Sequence, residues 1–181
     1  MSLDIDFGPP IPPQSYRAGW SGSRAWEDKN YPNSLSMLND DTAAYIKAAM
    51  DHITAGWVVG KVAMTNEILI IWLVDTIGRL RFSIEELVLF GVPRGIPKHQ
   101  KCELHATADK LGHPALVGGA NARIGGEIFF DPTADPPNWF INNKSGRYGL
   151  HPSRTSVHLD NVAHQFAKYG ITLQKKFIKG L

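Results

Sequence analysis

Cysteine is almost absent. Cys102 stands alone among 181 residues, so an intrachain disulfide is excluded and so is a thiolate-bound zinc cluster. Long apolar runs are absent too. The longest, Ile68–Val74, has seven residues, against the ~18 or more of a membrane-spanning helix, and reads as a buried strand. The first residues, MSLDIDFGPPIPPQ, lack a basic region followed by an apolar one, so no secretory signal and no membrane partner are expected. A reducing compartment, or delivery into a target cell, suits such a chain. Several chemical signatures are missing as well. There is no H-E-x-x-H, no G-x-S-x-G elbow, and no G-K-[ST] after Gly118-Gly119 or Gly125-Gly126. His158 and His164 are six apart and fall on different helix faces, while His99 and His105 have no carboxylate at ligand spacing. No metal site is expected, and no cofactor.

What is present is an ordinary core-building composition, 43% hydrophobic and 20% charged, which excludes a largely disordered chain. The formal charge of +2 is too small to imply nucleic acid, but it is unevenly spread. Residues 144–181 hold seven Lys/Arg against one acid, Asp160. That basic tail suits an anionic substrate, or equally a strand edge guarded by lysines.

The pattern predicts an α+β fold: a central, mostly antiparallel sheet with two or three helices, the C-terminal helix packed on one face. Residues 1–33, rich in proline and aromatics, read as an extended lead-in, and 34–181 as one domain. Asp40 or Asp41 is expected to cap a helix over 42–55 with Ala44, Ala48 and Ile53 on one side. Residues 57–64 read as a strand, and 67–74 as the central one, returning through a hairpin to 80–82. Ser83-Ile-Glu-Glu86 has the form of a capping box and predicts a short helix to Phe90-Gly91, then a loop over 92–101. A strand is expected over 101–107. Four glycines between 118 and 126 forbid a long helix there. Residues 126–130 and 138–142 then read as a hairpin joined by Asp131–Pro137. From Thr155 helical spacing brings Leu159, Val162, Ala163 and Phe166 together, with Gly170 closing the helix and an edge strand within 171–178.

Polar chemistry concentrates in 113–154. An imidazole, a carboxylate, guanidiniums and a phenol in one short span form a recurring acid–base set. The candidate catalytic residues are His113, Glu127, Arg147 and Tyr148, expected to share one pocket; Arg123, Asn143, Ser145 and Arg154 are candidate substrate-binding residues. Asn142, Asn143, Ser145 and Gly146 also make a good turn in any protein. These same residues carry a resemblance. The order His113, Leu116, Gly118, then Gly126-Glu127, then Ser145-Gly146, Tyr148 and Pro152, followed by a helix, is similar to C-terminal domains of bacterial polymorphic toxins and effectors, and to the core of the plant IQ-motif calmodulin-binding family. The similarity spans about 65 residues, 111–175. It departs where Arg147 replaces a second histidine, where Pro114-Ala115 replaces two serines, and where Pro152 is displaced by two. No IQ motif occurs, so calmodulin is not carried over. The resemblance implies a toxin or effector domain, with a cognate inhibitor or immunity protein as partner.

Three functions compete. The first is a metal-independent ribonuclease acting on RNA, with His113 as the base because an ordinary imidazole titrates near ~6.5. Glu127 would orient it or act as second acid–base group, and arginines would hold the phosphate. The second is an ADP-ribosyltransferase-like effector using NAD through Tyr16-Arg17-Ala18-Gly19 and Glu127. The third is a non-enzymatic protein-binding module built on the aromatic 16–31 segment.

Overall fold

The computed structural model describes residues 2–14, 24, 26–56, 69–98, 104 and 108–180. The expected strand over 57–64 therefore lies outside the described residues, as do Tyr16–Gly19, Cys102, His99 and His105, and most of 101–107.

The architecture is α+β. A six-stranded sheet has the order β1 (Ser36–Met37), β3 (Leu80–Ile84), β2 (Ile70–Asp75), β7 (Ala122–Asp131), β8 (Asn138–Asn142), β9 (Gln174–Lys176). All its pairings are antiparallel except β8–β9, which is parallel. A second sheet has the order β5 (Val92–Pro97), β4 (Glu86–Leu89), β6 (Ala108–Lys110).

The central strand β2 buries both faces, as its unbroken apolar run requires. Trp72 and Val74 join the core under α2 (Asp40–Gly56) and α3 (Ser156–Ala167), while Ile71 and Leu73 face the 3₁₀ turn His113–Val117 with Leu116 and Tyr148. The β2–β3 hairpin is tied by Asp75. Its Oδ1 accepts from the backbone N–H of Ile77 and Arg79, and its Oδ2 accepts from Nε of Arg79 and Arg81 at 2.8 and 3.2 Å. Burial would raise this carboxyl, but those donors outweigh it and hold it below its ordinary value. In β7 the Gly125-Gly126 pair answers to close approach. A Cβ on Gly126 would lie 1.8 Å from the Asn142 carbonyl oxygen, so no side chain fits.

The C-terminal helix α3 packs on one face of the sheet through Leu159, Val162 and Phe166. Thr155 N–H donates to His158 Nδ1 at 3.2 Å at its start, and Gly170, with φ +73°, closes it while Ile171 N–H donates to Phe166 O.

Four local readings are corrected. Ser83–Glu86 does not start a helix: Ser83 is inside β3 opposite Ile71, and Glu86 opens β4. The Glu86 carboxylate, instead of closing on Ser83, accepts from Asn33 N–H, Ser34 N–H and Ser34 Oγ at 3.0, 2.7 and 2.6 Å. Phe90 (φ +52°) and Gly91 (φ +75°) then form the two-residue turn of a hairpin, so 92–97 is strand rather than loop. Helix α2 is capped by Asn39, whose Oδ1 accepts from Thr42 N–H at 2.9 Å, and not by Asp40 or Asp41. Its buried stripe is Ala43, Ile46 and Met50; Ala44 and Ala48 are exposed. Finally, residues 3–7 form a short helix, α1 (Leu3–Phe7), with Phe7 in the core and Ile11 bridged to Ala122.

Candidate functional site

Most of the polar belt of 113–154 is spent holding the chain together. Arg123 donates Nε and Nη2 to Thr76 O, and Nη1 to Gly8 O and Asp4 Oδ1. Arg154 donates to Tyr148 O, Pro9 O and Ser153 Oγ at 2.9–3.2 Å. Asn143 Nδ2 donates to Gly149 O and Ile178 O, and its Oδ1 accepts from Ile178 N–H at 2.7 Å. Ser145 Oγ accepts from Tyr148 N–H. The fully buried Tyr148 donates its hydroxyl to Ala120 O at 2.8 Å, and burial pushes the phenol well above its ordinary value. Arg147 lies 3.9 Å from Glu27, whose other oxygen accepts from Gly112 N–H at 2.9 Å. These side chains bond backbone groups of a loop-rich region, some of them buried (Gly8, Tyr148, Gly149) and so costly to leave unpaired, others at its surface (Thr76, Pro9, Ala120). Tyr148→Phe removes the bond to the Ala120 carbonyl, which belongs to an exposed residue, and is expected to cost about 0.5–1.5 kcal/mol in a urea titration; an unchanged midpoint would show the bond to be idle.

His113 is buried with Nε2 2.8 Å from Gly126 O. A carbonyl only accepts, so Nε2 carries the proton. Burial drives the imidazole down to about 4; the Gly126 bond and Glu85 oppose this, while Lys110 and Arg147 reinforce it. The ring is therefore neutral at pH 7, and the expectation of an ordinary imidazole poised near ~6.5 does not hold. A stability consequence follows. The unfolded chain binds a proton on His113 below pH ~6.5 and the native chain only near 4, so stability falls as pH drops between them. The full contribution is about 3 kcal/mol, present above that window. The measurement is unfolding free energy against pH for the native chain and for His113→Gln; equal slopes between pH 6.5 and 4 would refute it.

Glu127 has a different setting. Strand register places Ile71, Glu127, Asn142 and Lys176 in one row across β2, β7, β8 and β9. The next row holds Phe129, Phe140 and Gln174. Side chains alternate along a strand, so both rows face away from α3. The 3₁₀ turn covers Ile71 and Leu73 on this face, whereas the β7–β9 end opens into a cleft of about 440 Å³ lined by Glu127, Asn142, Lys144, Lys176, Phe129 and Asp131, among others. Asn142 organises it. Its Oδ1 accepts from Glu127 N–H and Lys144 N–H at 3.0 and 2.8 Å, and its Nδ2 donates to Glu127 Oε2 at 3.3 Å. Lys144 Nζ is 3.7 Å from the same oxygen. Burial pushes the Glu127 carboxyl above its ordinary value, with Lys144 and the Asn142 bond pulling it part-way back.

The four candidate catalytic residues are thus not brought to one cavity wall: Glu127 lines the cleft, and His113, Arg147 and Tyr148 do not. His113 and Glu127 do share electrostatic neighbours, the Glu85–Lys110 pair, joined at 2.6 Å between β3–β4 and β6. Of the basic tail, Lys144 and Lys176 face the cleft, while Lys175 pairs with Asp160 on the helix side. Phe129, Glu85 and Lys110 were not singled out from the sequence, Phe140 only as a residue opposite Glu127, and Lys144 and Lys176 only as part of the basic tail. The available signal was parity along the hairpin: positions 127, 129 and 131 share a face with 142, 140 and 138. Among the described residues no three His, Cys, Asp or Glu side chains converge as metal ligands, and no helix is long and apolar enough to span a membrane. Comparison with family models, with curated proteins and with solved structures finds no match.

Proposed function

We propose that the chain is a toxin- or effector-like domain that cleaves RNA by general acid–base catalysis in the Glu127 cleft. One observation carries this reading: a carboxyl with a raised pKa sits in an open cleft with two lysine ammonium groups on the same rim. A partly desolvated carboxylate is a stronger base than one in water, and ammonium groups stabilise charge that develops on a phosphate. In the reaction, Glu127 takes the proton of a ribose 2′-hydroxyl and the 2′-oxygen bonds to phosphorus. The bond from phosphorus to the 5′-oxygen breaks, and that oxygen takes a proton from Lys144. The proton on Glu127 then restores Lys144 through solvent. The products are a 2′,3′-cyclic phosphate end and a 5′-hydroxyl end. Lys176 neutralises a non-bridging oxygen. His113 is a positioning residue, fixing the Gly126 carbonyl one residue before Glu127.

The test is incubation of pure protein with single-stranded RNA in excess chelator, with the ends of the fragments identified. Cyclic phosphate ends are expected. Intact RNA, or cleavage that chelator abolishes, would overturn the reading.

A further inference from the structure

We infer that the Phe129–Phe140 pair is a stacking platform for one unpaired nucleobase, so that the cleft takes single-stranded and not duplex RNA; the inference rests on the acid–base reading of the same cleft and names its substrate class.

The two rings are cross-strand partners on the sheet face opposite α3, 5.7 Å apart and 17° from parallel. Both are half-buried, unlike Phe130 and Trp139 one residue away, which are buried in the helix-side core. Phe129 forms part of the cleft wall. Successive residues on one face of a strand are about 7 Å apart, so a base lying on Phe129 sets its own sugar and phosphate over the neighbouring row of Glu127, Asn142 and Lys176. An apolar ring beside cations at that distance suits a nucleotide, whose flat apolar face and anionic phosphate have the same separation. Asp131 closes the far end. Thr133 donates to its Oδ1 from N–H and Oγ and holds the carboxyl below its ordinary value, with Lys176 adding to the effect. An ionised carboxylate only accepts, so it meets the amino hydrogens on a base edge. In a duplex each base is stacked on both sides and paired along that edge, leaving neither surface free.

The experiment uses a fluorescein-labelled hexaribonucleotide with 2′-O-methyl groups, which has no 2′-hydroxyl to attack, alone and annealed to its complement. Binding is read by anisotropy. The single strand is expected to bind and the duplex to bind at least ten times more weakly, since stacking on an aromatic ring is worth on the order of 10-fold to 100-fold per base. Phe129→Leu, which keeps bulk and loses the ring, should weaken the single strand by a similar factor, and Phe129→Trp should restore it. Equal binding of duplex and single strand, or of Leu and native chains, would overturn the platform. Cleavage of the unmodified strand is scored separately. Ring-dependent binding without cleavage by the native chain supports the platform and defeats the acid–base reading. Cleavage unchanged in Phe129→Leu defeats the platform alone.

Discussion

Glu127→Gln should lower RNA cleavage by roughly 10²–10⁴-fold, the usual contribution of a positioned acid–base group, while leaving the protein as stable as before or slightly more so. The amide keeps the shape of the carboxyl. The backbone N–H of residue 127 still donates to Asn142 Oδ1, so the β7–β8 register is untouched. What changes is charge. Burial opposes ionisation of Glu127, so an uncharged replacement removes a desolvation cost at neutral pH. Loss of activity with an unchanged or raised thermal midpoint separates a catalytic role from a structural one. The pH profile adds a second reading. The native rate should climb with pH as the carboxyl ionises, with its midpoint above the ordinary glutamate range, and that limb should vanish in Glu127→Gln. A variant that keeps native activity would remove Glu127 from the chemistry.

The alternation of the hairpin and the spacing of α3 were legible because each carries its own punctuation. Pro132–Pro137 can only be a loop, and Thr155 and Gly170 bracket one amphipathic face. Ser83–Glu86 was misleading for a reason of the same kind. A capping box is a local pattern, and its Glu is free to bind whichever backbone N–H groups come within reach. Here those are at residues 33 and 34, some fifty residues away in sequence. The shift in α2 has a similar cause: Asn39 offered a cap one residue before Asp40, and the start of a helix sets which residues its apolar stripe collects.

The candidate site was legible as a region and not as a set of roles. Arg123, Asn143, Ser145, Tyr148 and Arg154 bond the irregular backbone packed around them, His113 bonds the β7 carbonyl of Gly126, and Arg147 lies beside the buried Glu27; a buried carbonyl needs a donor whether or not a substrate is ever bound. Sequence cannot tell a guanidinium aimed at Pro9 O from one aimed at a phosphate. Residue type suggested the acid–base chemistry proposed for Glu127. Strand parity and register, which put Glu127 beside Asn142 and Lys176, gave its location.

The two faces of the sheet therefore separate the α3-side core from the proposed cleft, and Phe166→Ala tests the core side. Phe166 is fully buried on α3 with Leu159 and Val162, in the same core as Trp72, Ile128 and Ile141. Truncation removes the apolar ring and leaves a cavity that neighbours on a rigid sheet fill only in part, a loss of about 3–5 kcal/mol. Against a total stability of ~5–15 kcal/mol for a domain, that is a large fraction. In a urea titration the midpoint should fall with little change in slope, since the surface exposed on unfolding is nearly the same. Cleavage per folded molecule should persist, because the Glu127 row faces away from α3. A loss below ~1 kcal/mol would mean the helix does not pack as described, and a loss of cleavage while the variant is still folded would mean the two faces are coupled through the strands between them.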